Sequence, residues 1–210
     1  MVWTQSLGGR IELLSMDPHF QDITIGLYQR SRCGAPEYLV HSYSGVMGTR
    51  ERLDFLIQAM VALGDLILEN GWLHFPCGVG HQLAVRRVFL EACKIPPGAD
   101  LTPKPLTIFD KKTEHTITAT SLTPGLYEVS ADAPQDKSAS RVDNITSGLK
   151  KLAEIEFVAG EPHRVMFACR WPHDALIGLL LPRALNVRAV LREEEMAASR
   201  GTLVAPSAQK

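Results

Sequence analysis

The sequence lacks one-sided charge. Its 22 Lys and Arg balance 23 Asp and Glu, giving a formal net charge of −1 over 210 residues. No long basic run occurs, which argues against a nucleic-acid-binding surface, so no nucleic-acid partner is expected. Cysteine is scarce too. Four in a chain of 210 residues are too few for a disulfide-built scaffold. Long apolar runs are missing: the longest, Ala175–Leu181, falls far short of the roughly 20 residues that span a bilayer. No membrane partner is therefore expected. The opening residues, MVWTQSLGGRIELL, carry no charged stretch followed by an apolar one, so no secretory leader is expected. The expected location is cytoplasmic, where Cys33, Cys77, Cys93 and Cys169 are free thiols or metal ligands. Nor does the chain hold a Walker loop, a GxSxG elbow, an HExxH or a CxxC.

What is present is an ordinary globular composition, 45% hydrophobic and 21% charged. That is enough apolar surface to offset the ordering entropy, which excludes intrinsic disorder. An internal repeat organises it. Residues 73–81 read LHFPCGVGH and residues 165–173 read VMFACRWPH; both contain F-x-C-x-x-x-H, offset by 92 positions. Apolar positions continue the match, pairing Val85 with Ile177, Val88 with Leu180, Phe89 with Leu181 and Ala92 with Ala184.

The flanking segments repeat as well. Ile11–Asp17, Ile23–Ser31 and Glu37–Ser44 read as strands, as do Pro105–Lys111, His115–Leu122 and Gly125–Ala131. A helix capped by Thr49 follows the first set, with Leu53, Leu56, Ile57, Met60, Val61 and Leu63 at helical spacing. Its counterpart is expected to begin near Asp143 or Asn144, with Ile145, Leu149 and Leu152 on one face. Short strands Trp72–Pro76 and Arg164–Ala168 come next, then second helices starting near His81 and His173. The first of these helices places Ala84, Val85, Val88, Phe89 and Ala92 inward and Arg86, Arg87, Glu91 and Lys94 outward. The second is apolar all round and therefore central, and Pro182 is expected to kink or break it.

Each half thus reads β-β-β-α-β-α. The expected fold is a duplicated α+β protein with two-layer packing of sheet and helices and pseudo-two-fold symmetry. Residues 1–95 form the first half, 96–104 a Pro-rich linker, 105–198 the second half and 199–210 a tail. This order, duplicated, resembles the tandem ribosomal protein S5 domain 2-like fold, an arrangement seen in imidazoleglycerol-phosphate dehydratase and in the zinc deacetylase of lipid A synthesis. The dehydratase family places metal ligands at the start of the second helix of each half, in His-His-x-x-Glu motifs. The corresponding places here carry Cys77-x-x-x-His81 and Cys169-x-x-x-His173, with Ala84 and Leu176 where the glutamates would stand. The resemblance therefore implies a fold and no activity.

Cys77, His81, Cys169 and His173 are the candidate metal ligands. Zinc accepts Cys sulfur and His nitrogen in a tetrahedron. Two Cys-x-x-x-His turns facing each other across a pseudo-two-fold axis complete a Cys2His2 set, whereas pairs more than about 8 Å apart cannot share an ion. Helix N-termini also favour thiolate over thiol and neutral imidazole over imidazolium. Two other readings stand beside this one. The cysteines can be small buried residues that end core strands, with the histidines bonding nearby carbonyls. Alternatively, Cys77 can be a reactive thiol with His81 as its base.

The remaining features are minor. The segment Gly45–Arg50 can hold an anion or simply start a helix capped by Thr49. Asp174 can orient an imidazole or complement a helix dipole. Cys33 is expected in a hairpin loop, Cys93 in helix packing and Glu193–Glu195 at a solvated helix end. The chain so read is a small-molecule-binding protein or a metal-assisted enzyme of hydrolysis or hydration, with its site between the halves and zinc as the cofactor. The alternative is a non-catalytic structural or interaction protein in which the repeat preserves only the fold.

Overall fold

The computed structural model describes residues 2–7, 10–16, 19, 24–32, 34–42, 48–133 and 135–192, with the backbone alone for 2–16 and 135–138. Cys33, Tyr43–Met47, Glu193–Glu195 and the tail 199–210 lie outside the described residues.

Antiparallel sheets and helices together make an α+β fold. The first sheet contains β1 (Val2–Leu7), β2 (Arg10–Met16), β3 (Thr24–Arg32), β4 (Ala35–Ser42), β5 (Ile67–Glu69) and β6 (Trp72–His74), in the order β1-β2-β3-β4-β6-β5. The helices α1 (Thr49–Gly64) and α2 (Gln82–Lys94) accompany it. The second sheet contains β7 (Thr107–Asp110), β8 (His115–Thr123), β9 (Leu126–Ala131), β10 (Ile155–Val158) and β11 (Glu161–Phe167). Its order is β7-β8-β9-β11-β10. With it come α3 (Gln135–Leu152) and α4 (Asp174–Ala184). A four-strand meander in the first sheet and a three-strand meander in the second are each followed by a helix and then a hairpin, and the hairpin joins the meander through its second strand.

The periodicities account for the layers. On β8, Ile117 and Ala119 are buried, as the alternation of His115–Thr120 predicts. On α1, Leu56, Ala59, Met60 and Leu63 recur at helical spacing and are all buried. Contacts between the halves run through the helices: α1 packs on α4, and α2 packs on α3 and α4. The stretch 96–104 has no helix or strand, yet Leu101 packs on the core and the Lys104 carbonyl lies against Gly178 of α4.

Several local expectations are corrected. The strands β1, β5 and β10 are additional, so the single fourth strand expected in each half is a hairpin. The N-cap of α1 is Gly48, at φ 86°, and among the described residues no side chain caps the helix; Thr49 is already its first residue. A backbone turning in through positive φ suits glycine and leaves the threonine hydroxyl no capping position. The helix α3 begins at Gln135, two turns earlier than expected, because residues 135–141 are mostly polar and hide the apolar period. Pro182 does not end α4, which continues to Ala184. It sits in the last turn, where the missing N–H costs a single helical bond. Finally, Arg87 and Glu91 are buried rather than outward, 6% exposed each, because α2 is covered on a second side by the other half.

Candidate metal centre

Two strand-to-helix turns of the same build carry the four candidate ligands. After β6, Phe75 is buried and the chain tightens: the Gly78 N–H donates to the Phe75 carbonyl at 3.0 Å, with Gly78 at φ 72°. A positive φ is readily open to glycine, and it re-aims the chain so that Cys77 faces the start of α2. After β11, the Arg170 N–H donates to the Phe167 carbonyl at 3.0 Å, and Arg170 adopts φ 54°. His81 and His173 then occupy the N-cap positions of α2 and α4, and their carbonyls accept the first helical bonds, from Val85 at 2.8 Å and Ile177 at 2.9 Å.

Cys77 Sγ lies 3.3 Å from His81 Nε2, and Cys169 Sγ lies 3.3 Å from His173 Nε2. The two pairs meet. One ligand atom from each of Cys77, His81, Cys169 and His173 falls within 4.8 Å of every other. The four candidate ligands are therefore brought together, well inside the separation that would forbid a shared ion. The imidazoles cross at 83° with ring centroids 4.8 Å apart. Phe75 and Phe167 box them in, edge-on to His81 at 4.9 Å and tilted over His173 at 4.6 Å. His81 and His173 are 1% and 0% exposed, while both cysteines are half-buried.

This burial sets the protonation states. It pushes His81 and His173 down to about 4, with the neighbouring His81 also lowering His173. Both imidazoles are neutral at physiological pH, as ligands must be. Burial pushes the Cys77 thiol up to about 11; a hydrogen bond with the backbone of Val79 works against this and the nearby Cys169 adds to it. At Cys77 burial thus outweighs the lowering expected from the helix N-terminus. A thiol near 11 beside an imidazole near 4 is not a thiolate–imidazolium pair, so the reactive-thiol reading loses its chemistry.

Around the ligands lies a polar shell that sequence reasoning did not single out. Glu154, just beyond α3, accepts the Leu83 N–H at 2.6 Å through Oε1 and the Ala84 N–H at 3.4 Å through Oε2. Asp65, just beyond α1, accepts the Leu176 N–H at 2.8 Å. Each acidic residue follows the first helix of one half and caps the second helix of the other. The Tyr127 hydroxyl accepts the His173 N–H at 2.7 Å and donates to Asp174 at 2.7 Å. Asp174 is therefore bonded to a tyrosine rather than to an imidazole. Tyr38 holds the matching place on β4, buried, with its hydroxyl unpartnered among the described residues. The Nδ1 atoms of His81 and His173 also lack hydrogen-bond partners there. The repeat signals this shell faintly: Tyr38 and Tyr127 are 89 positions apart, as are Asp65 and Glu154.

Elsewhere Cys93 is buried among the helices, as expected. No described helix is long and apolar enough to cross a membrane. The chain matches no family model, no curated protein and no solved structure.

Proposed function

We propose that Cys77, His81, Cys169 and His173 bind one zinc ion, and that this ion is a structural centre fastening the two halves of a non-catalytic scaffold or interaction protein. One observation carries the reading: the convergence of the four donor atoms within 4.8 Å. Zinc bonds of roughly 2.0–2.3 Å set donor–donor spacings of roughly 3.3–3.8 Å in a tetrahedron. The Cys–His spacings of 3.3 Å already match. The donor set is the borderline-soft mixture zinc prefers.

The same geometry favours a structural over a hydrolytic role. Catalytic zinc keeps three protein ligands and an open position for water or substrate, whereas closed sites take four. Here the protein supplies all four donors, and the two imidazoles are sealed behind phenylalanines. Metal-assisted hydrolysis of a small molecule would require one ligand to leave.

The halves themselves read as copies of one unit in the manner of the tandem S5 domain 2-like fold, with a hairpin replacing the fourth strand. The common strand order of the two sheets and the paired turns support this.

The deciding experiment is elemental analysis of protein purified without a His-tag, followed by cobalt substitution. The expected result is one equivalent of zinc per chain and, with cobalt, a tetrahedral visible spectrum with thiolate-to-metal charge transfer. Absence of zinc, iron and manganese at near-stoichiometric level overturns the reading.

A further inference from the structure

His81 and Glu154 carry an inference that rests on the zinc reading and extends it. A neutral imidazole has one donor and one acceptor nitrogen. Nε2 of His81 faces Cys77 Sγ at 3.3 Å and is the nitrogen that faces the ion. Nδ1 then carries the proton, inside a site where the ring is 1% exposed. A buried N–H needs an acceptor. None is hydrogen-bonded to it among the described residues, but Glu154 Oε2 stands 4.0 Å away.

The carboxylate is built to close that gap. Its Oε1 is anchored on the Leu83 N–H at 2.6 Å, while Oε2 is only loosely engaged by Ala84 at 3.4 Å. Rotation about the anchored oxygen therefore frees Oε2 without losing the cap of α2. We propose that Glu154 is the positioning residue of the zinc centre, accepting the Nδ1–H of His81 across the boundary between the halves and holding the ring with Nε2 on the ion. Metal-bound histidines are commonly oriented by such a carboxylate.

The two halves differ here. Asp65 stands where Glu154 does in the repeat, but its side chain is one carbon shorter and its carboxylate is taken up by the start of α4, at Leu176. His173 Nδ1 has no hydrogen-bond partner among the described residues. Glu154 thus combines positioning with the capping of α2, whereas Asp65 caps α4 alone.

The test compares zinc affinity, by competition with a chromophoric chelator, in the full chain and in the variants Glu154→Ala, Glu154→Gln and Asp65→Ala. Nitrogen-resolved NMR of the His81 ring is the second readout. Removal of an orienting partner costs roughly 10–100-fold in metal affinity. The expected result is a loss of that order in Glu154→Ala, with smaller losses in Glu154→Gln, whose amide oxygen still accepts, and in Asp65→Ala, which removes the cap of α4 and leaves His81 untouched. In zinc-loaded wild type the His81 Nδ1 proton exchanges slowly, and in Glu154→Ala it does not. If wild type binds one zinc and Glu154→Ala binds it equally well, or if Asp65→Ala loses as much affinity, the positioning role is overturned while the zinc centre stands. If wild type binds no zinc, both fall.

Discussion

Asp65 accepts a hydrogen bond from the backbone of Leu176 at 2.8 Å, although 111 residues separate them. The bond satisfies one of the unpaired N–H groups at the start of α4 with a carboxylate from the end of α1. Glu154 returns the arrangement to α2 from a distance of 71 residues. A helix start in one half is therefore completed only by the other half. Replacing Asp65 by Ala is expected to cost about 1 kcal/mol, the usual loss for a helix cap. Urea denaturation will read it as a lower midpoint with an unchanged slope.

Loss of a ligand should abolish the centre without refolding the chain. Cys169→Ser keeps the volume but replaces a thiolate with a poor zinc donor. The expected outcome is less than a stoichiometric equivalent of zinc, while Cys93→Ala, altered at a buried thiol of α2, retains it. Equal zinc content in Cys169→Ser and wild type would contradict the ligand set.

Zinc removal should loosen the junction between halves more than either half. A ligand that binds only the folded state stabilises it by RT ln(1 + [L]/Kd), about 2.7 kcal/mol at a hundredfold excess over Kd. Treatment with a chelator is expected to lower the melting temperature, and titrating zinc back should raise it in proportion to the logarithm of free zinc. A melting temperature indifferent to zinc would show that no such linkage exists.

Acid should weaken the same junction through Glu91. Burial opposes ionisation of this carboxylate, but hydrogen bonds and charge from Arg183 of α4, and from Lys94, outweigh it and hold it below its ordinary value of 4.5. The folded pKa is depressed, so its stabilisation is fully present above 4.5 and is lost as pH falls through the lower folded value. Denaturation of zinc-free protein from about pH 6 to 3 should show this decline added to the one set by the buried His81 and His173, and Glu91→Gln should remove only the carboxylate's share. Using zinc-free protein keeps cysteine protonation at the centre out of the slope.

The candidate ligands were legible in the sequence because Cys and His are rare and their spacing repeats, and that repeat also located both turns. Strands such as β8 were legible because their alternation is local. The carboxylates were not. Asp65 and Glu154 act on residues 111 and 71 positions away, and no period within a helix announces such a bond. Arg87 and Glu91 misled for the same reason: a charged residue reads as solvated until a second half covers it. The hairpin strand β5 escaped because all three of its residues are exposed, leaving no alternation to detect. The polar start of α3 likewise offered no apolar stripe.

The exchanged caps impose an order in time. Synthesis delivers α1 and α2 long before α4, so Asp65 waits for Leu176 and the start of α2 waits for Glu154. The first 95 residues hold the Cys77–His81 pair but neither the acceptor for the start of α2 nor Cys169 and His173. Each of these amides finds its acceptor only across the two halves. Neither cap can therefore close within residues 1–95 alone.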